Sequence, residues 1–109
     1  MTEFQPPPFG VELARDVATA TVAILGELDI STTPELTEAL RSLEPGYDTL
    51  VVDLSRCTFF ASSGISILLE ESQRAKEEGF ELAVIKAPPE VQRMFDLAGL
   101  EDKLTFRDP

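Results

Sequence analysis

The order of apolar and polar positions predicts strands that alternate with helices along most of the chain. Short segments that are apolar or β-branched at nearly every position are typical of buried strands. Longer segments that repeat apolar residues at intervals of three and four are typical of helices with one buried face. The strands are predicted at residues 9–13, 17–25, 49–54, 82–85 and 104–106, and the helices at residues 33–43, 63–78 and 89–98.

Residues that are typical of strand and helix ends mark several boundaries of these elements. The second strand is expected to end at Gly26. Thr33 can cap the first helix, and Pro34 after it has a preset φ angle and no N–H group to leave unpaired. The second helix is expected to begin at Ser62 or Ser63, with a glycine at the end of this helix and of the third, Gly79 and Gly99.

This element order predicts an α/β fold. The expected architecture is a mixed sheet of four or five strands with βαβ crossovers, right-handed by the general rule, flanked by about three helices. A length of 109 residues suits one domain, which we place at residues 9–106. Residues 1–8, with three consecutive prolines, are expected to form a flexible lead-in, and residues 107–109 a C-terminal tail.

Composition narrows the possible functions. The chain has 20 acidic against 9 basic residues, a net charge of −11, so we expect neither nucleic acid nor membrane as a direct partner. One cysteine, Cys57, cannot form an internal disulfide, and no secretory or membrane-spanning segment is recognised, so the cytoplasm is expected. The absence of histidine removes the commonest general base and weighs against an enzyme. No cofactor or metal is expected.

Two segments are more specific than periodicity requires. One is Gly-Glu-Leu-Asp-Ile at residues 26–30, and the other is Asp-Leu-Ser-Arg-Cys-Thr-Phe-Phe-Ala-Ser-Ser-Gly-Ile at residues 53–65. Both stand where predicted strands end, which is where ligands and chemistry collect in open α/β sheets. Asp29 and Ser62 are therefore expected to share one face.

These segments, with the Thr-Pro-Glu-Leu helix start at residues 33–36 and the pattern at residues 91–100, resemble the STAS family. Within that family they are most similar to bacterial anti-sigma factor antagonists, and the resemblance covers residues 9–106. It implies a monomeric protein that binds an anti-sigma factor serine/threonine kinase and so frees a sigma factor, with a serine phosphatase as a further partner. ATP is expected to bind the kinase and not this chain, which lacks a phosphate-binding glycine-rich loop.

The resemblance also implies a site. The phosphoacceptor falls on Ser62, with Ser63 as the alternative, and phosphorylation is expected to switch binding off. Asp29, Ser62, Ser63 and Gly64 would belong to the partner-binding face. The chain carries Ala61 where the family loop commonly has aspartate.

Simpler interpretations of the same residues stay open. Ser62 and Ser63 could be ordinary helix caps, and Asp29 could be a turn residue. Asp53 is expected to hydrogen-bond its own turn, and Cys57 to pack as a small apolar residue. Glutamates and cations at residues 70–78 predict a solvated helix face.

Three functions compete at this stage. Besides the antagonist, the chain could be a STAS subunit of a transporter complex without a phosphoswitch. It could also be a receiver-like domain that is phosphorylated on Asp53 and uses Lys86. The last alternative needs an acidic cluster for Mg²⁺, and no acidic pair follows the first predicted strand.

Overall fold

The computed structural model describes residues 9–109, and the predicted lead-in at residues 1–8 lies outside them. The described chain contains six strands, three helices and one short 3₁₀ turn. In chain order they are β1 (Gly10–Arg15), β2 (Thr19–Leu28), α1 (Thr33–Ser42), β3 (Thr49–Asp53), β4 (Cys57–Phe60), α2 (Ser62–Glu78), β5 (Glu81–Ile85), α3 (Pro89–Leu97), the 3₁₀ turn (Leu100–Asp102) and β6 (Phe106–Arg107). The predicted α/β class is confirmed.

The sheet is mixed, as predicted. The strand order is β1-β2-β3-β5-β6, and β4 pairs separately with β2. Only β1 runs antiparallel to its neighbour, while β2, β3, β5 and β6 form parallel pairs. Parallel neighbours place their carboxyl ends at the same edge of the sheet, so the loops that follow β2 and β4 leave the fold together.

Strand β4 is an addition to the predicted architecture, which had no element between the strand at residues 49–54 and the helix at residues 63–78. Its four residues do not alternate between buried and exposed, so periodicity did not reveal it. Pairing with β4 also corrects the expected end of β2 at Gly26, since the strand continues to Leu28. Gly26 adopts a φ of 77° at the shift in register, a conformation that a residue without a Cβ adopts readily.

The hydrophobic core joins alternate residues of the central strands to one face of each helix. Strand residues such as Val22, Val52 and Val84 are fully buried, as are Leu36 of α1 and Leu68 of α2. Each such side chain contributes about 1.5–3 kcal/mol when it is removed from water. This shared core fixes the helices on the sheet and thereby the positions at which they begin.

Intervals of three and four in the sequence predict an apolar face of α3 made of Val91, Met94, Phe95 and Ala98, and the observed face differs in detail. Val91 and Phe95 are buried, but Met94, predicted to lie in the core, is 38% exposed. The buried face also includes Gln92, whose Oε1 accepts a hydrogen bond from the N–H of Ala87 at 3.1 Å. A buried polar group needs such a partner, and this bond supports a face that includes Gln92 instead of Met94.

Helix α2 bears the solvated, charged face that the sequence predicts. Arg74 pairs with Glu71 at 2.7 Å and with Glu78 at 3.2 Å, and it also donates a hydrogen bond to the hydroxyl of Tyr47 at 2.8 Å. These partners raise the pKa of Arg74, and the hydrogen bond to Glu71 contributes most. Within residues 9–109, no helix is long and apolar enough to cross a membrane.

Candidate functional site

The candidate site lies where β2 and β4 end side by side. Leu28, the last residue of β2, is the register partner of Phe60, the last residue of β4. The N–H of Ala61 then donates a hydrogen bond to the carbonyl of Leu28 at 2.8 Å. Both side chains of the Leu28–Phe60 pair are fully buried, so the two chains that leave it start from a fixed point.

The chain that leaves β2 forms a tight loop around Asp29. One carboxylate oxygen, Oδ1, accepts hydrogen bonds from the N–H and hydroxyl of Ser31, at 2.9 and 2.7 Å. The same oxygen accepts from the N–H and hydroxyl of Thr32, at 3.0 and 3.1 Å. These bonds, led by the Ser31 hydroxyl and the Thr32 N–H, hold the pKa of Asp29 below its ordinary value. The interpretation of Asp29 as a turn residue is confirmed, and its partner-binding role stays a prediction.

A hydrogen-bonded chain of hydroxyls connects this loop to the start of α2. The hydroxyl of Thr33 donates to the carbonyl of Asp29 at 2.7 Å and lies 2.8 Å from the hydroxyl of Ser63. A hydroxyl has one proton, so a Thr33 hydroxyl that donates to Asp29 accepts the proton of Ser63. The sequence had assigned Thr33 to capping α1. That was wrong, because Thr32 occupies the N-cap position and the Thr33 side chain turns towards α2.

The two serines at the start of α2 have different surroundings. Ser62 is exposed and is the first residue of the helix, whereas Ser63 is half-buried and engaged by Thr33. Neither is the N-cap, since Ala61 occupies that position and has no polar side chain to cap the helix. Of the hydroxyl groups of Thr33, Ser62 and Ser63, that of Ser62 is therefore the accessible one.

Gly64 lies on the inner side of the same helix turn. It is buried, and a methyl group at this position would lie 2.5 Å from Leu28 Cδ2 and 2.8 Å from the ring of Phe60. Glycine therefore lets the start of α2 approach the Leu28–Phe60 pair closely. This packing role is what the geometry shows for Gly64, and its contact with a partner stays a prediction.

The residues that a receiver-like domain would use, and the single cysteine, make structural contacts. Asp53 Oδ1 accepts a hydrogen bond from the N–H of Ser55 at 2.9 Å, which confirms the predicted turn. Lys86 pairs with Asp108 at 3.3 Å. Cys57 is fully buried, as predicted, and burial raises the pKa of its thiol. Across residues 9–109, no cluster of three or more His, Cys, Asp or Glu side chains could hold a metal ion.

This architecture defines a small mixed α/β domain whose distinctive surface is the pair of loops after β2 and β4, without a metal cluster in residues 9–109. The family model described as "Mlab, STAS domain" matches residues 11–106. The chain belongs to the STAS domain family, which confirms the resemblance.

Known relatives and solved structures are similar to the chain over most of its length. The anti-sigma-B factor antagonist of Staphylococcus aureus (strain NCTC 8325 / PS 47) is 28% identical over 82 residues, which are 74% of this chain and 76% of that protein. The crystal structure of an anti-sigma factor antagonist from Mycobacterium paratuberculosis has a TM-score of 0.76 at 24% identity, covering 94% and 87% of the two chains. SpoIIAA in its unphosphorylated form has a TM-score of 0.74 at 19% identity, covering 92% and 88%. Its phosphorylated form, from Bacillus, has a TM-score of 0.60 at 18% identity, covering 92% and 91%.

The carboxylate of Asp29 should stabilise the fold only while it is charged. Because the folded chain lowers its pKa, its contribution is present at neutral pH and is lost as the pH falls through that lowered value. Asp29→Ala should lower the free energy of unfolding slightly, as substitutions in exposed turns usually do. Chemical denaturation at a series of pH values would measure this.

Asp29→Asn is the matched control, because it keeps an oxygen at Oδ1 and removes the charge. The stability difference between wild type and Asp29→Asn should shrink in acid. A difference that is independent of pH would show that charge at Asp29 does not stabilise the loop.

Proposed function

We propose that the chain is an anti-sigma factor antagonist that binds an anti-sigma factor serine kinase and releases a sigma factor. Phosphorylation of Ser62 by that kinase switches the binding off, and a serine phosphatase belongs to the same system. The chain itself acts by binding and not by catalysis. The observation that carries the proposal is the exposed Ser62 hydroxyl at the first residue of α2, beside the loop held by Asp29.

The start of α2 can accept a phosphate without loss of fold. The first N–H groups of a helix have no partner inside it, and the helix dipole places positive potential there. The N-cap residue Ala61 has no carboxylate, and the first turn of α2 has no acidic residue. A phosphate on Ser62 therefore meets no negative side chain within its own helix turn.

The same phosphate would be unfavourable for a bound partner. It adds a charge of about −1.5 to −2, together with oxygens that must be desolvated when a protein covers them. The neighbouring loop contributes Asp29, which the lowered pKa keeps charged at neutral pH. A partner surface suited to the unmodified site would meet additional charge at its centre. SpoIIAA, whose unphosphorylated and phosphorylated forms are both solved, supports such a switch.

The acceptor can be tested with purified anti-sigma factors of the source organism that have a histidine-kinase-like ATP-binding fold. Each would be mixed with ATP and with the wild type, Ser62→Ala or Ser63→Ala, and the products analysed by mass spectrometry. Wild type and Ser63→Ala should gain one phosphate, and Ser62→Ala none, because of these two serines Ser62 is exposed whereas the Ser63 hydroxyl is engaged by Thr33.

Phosphate on Ser62→Ala would contradict the assignment of the acceptor. Failure of the wild type to bind any such anti-sigma factor, together with binding to transporter subunits, would favour the alternative of a STAS subunit in a transporter complex. Ala61→Asp would introduce the aspartate that is common in the family at this position. The proposal requires that the wild type is phosphorylated without this aspartate.

A further inference from the structure

Ile30 is a large apolar side chain that stands in solvent beside the candidate site. It is 82% exposed, next to an aspartate that is fixed in its own loop. Single exposed apolar residues are common on proteins and need no function. Three further observations set Ile30 apart: the rigidity of its loop, its position relative to Ser62, and the charge around it.

The loop that carries Ile30 is held on both sides of it. Four hydrogen bonds converge on Asp29 Oδ1 from Ser31 and Thr32. The carbonyl of Asp29 also accepts from the N–H groups of Thr32 and Thr33, at 3.2 and 3.0 Å. A contact residue on a rigid loop loses little conformational freedom on binding, so more of its burial appears as affinity.

The position of Ile30 follows from strand register. Leu28 pairs with Phe60, Ile30 is two residues beyond Leu28, and Ser62 is two residues beyond Phe60. The two chains remain connected past the pair, through the bond from Ala61 to Leu28 and through the hydroxyl contact of Ser63. Ile30 and Ser62 therefore belong to one small surface.

The two segments that bear this surface contain acidic residues and no cation. Residues 26–40 include Glu27, Asp29, Glu35 and Glu38 and have no lysine or arginine. Residues 57–73, which include the start of α2, likewise have none. Ile30 is therefore the apolar side chain that this acidic surface offers to the core of an interface.

We propose that Ile30 is the apolar anchor of the partner interface, and that it enters an apolar pocket on the anti-sigma factor. This rests on the proposed function and adds the chemistry of the partner surface. Asp29 then acts mainly by holding the loop that presents Ile30. Buried apolar anchors near the centre of an interface carry much of its binding energy.

The chain offers a matched control at the opposite end of the sheet. Val17 is 92% exposed in the turn between β1 and β2, and it also follows an aspartate, Asp16, whose Oδ1 accepts two backbone N–H groups at 2.9 and 2.8 Å. Local geometry is thus similar at both places, while only Ile30 lies beside Ser62. Ile30→Ser and Val17→Ser should fold equally well, since both side chains are exposed.

The test is a binding titration of the unphosphorylated full chain with the purified anti-sigma factor that wild type binds. Ile30→Ser should weaken binding about tenfold or more, from the loss of a buried aliphatic side chain. Val17→Ser should leave affinity unchanged, and Ile30→Met should retain most of it. Unchanged binding by Ile30→Ser would overturn the anchor and leave the antagonist function intact, whereas no binding by wild type to any anti-sigma factor would overturn both.

Discussion

Phosphorylation of Ser62 should weaken binding of the chain to its anti-sigma factor roughly a hundredfold, which corresponds to about 3 kcal/mol. The modified residue lies beside Asp29, so the phosphate would add to an existing negative charge at the interface. The fold should remain intact, because the phosphate lies at the positive end of α2. Circular dichroism would verify the fold, and titration of the purified phosphorylated chain would measure the affinity.

Substitutions separate the effect of charge from that of the hydroxyl. Ser62→Ala should bind like wild type, because it adds no charge to the interface. Ser62→Asp and Ser62→Glu should weaken binding less than phosphate does, since a carboxylate has less charge. A phosphorylated chain that binds as tightly as the unmodified one would refute the switch, as would loss of binding in Ser62→Ala.

Much of the fold was predictable because its apolar periods are strong. The helix predicted at residues 33–43 is observed at Thr33–Ser42, and the last helix, predicted at 89–98, at Pro89–Leu97. Strand β4 was not predictable from periodicity, because it pairs only with the end of β2 and has four residues. Its existence depends on tertiary contacts that local pattern does not encode.

The candidate site was predictable in place but not in its contacts. The sequence placed Asp29 and Ser62 on one face because both stand near the ends of predicted strands. In the structure, the pairing of β2 with β4, a strand that was not predicted, brings the two segments together. The contact between Thr33 and Ser63 joins residues 30 positions apart. A threonine before a proline is an ordinary sign of a helix start, so no local pattern indicated that its side chain turns elsewhere. Ile30 showed no signal either, because exposure is known only from the fold.

Gly64→Ala should destabilise the chain by about 1–3 kcal/mol, the usual effect of adding a methyl group to a packed core. The new Cβ would lie 2.5 Å from Leu28 Cδ2 and 2.8 Å from the ring of Phe60, and both residues are fully buried. Alanine is favoured over glycine inside a helix by about 1 kcal/mol, so a net loss of stability would show that the close approach dominates. Denaturant unfolding would measure the change.

Two variants make this result specific. Gly10→Ala is the control, because nothing lies within 4 Å of the position that its Cβ would take, and its stability should change by less than about 0.5 kcal/mol. Leu28→Ala removes the nearest clashing atom, so in a double-mutant cycle Gly64→Ala should cost less in that background than in wild type. If the two substitutions are additive, or if Gly64→Ala is as stable as wild type, close contact with Leu28 does not determine the residue at this position. If the two substitutions are coupled, the Leu28–Phe60 pair also determines how close the start of α2 lies to the sheet, and thereby the position of Ser62. Gly64→Ala should then weaken partner binding as well as stability.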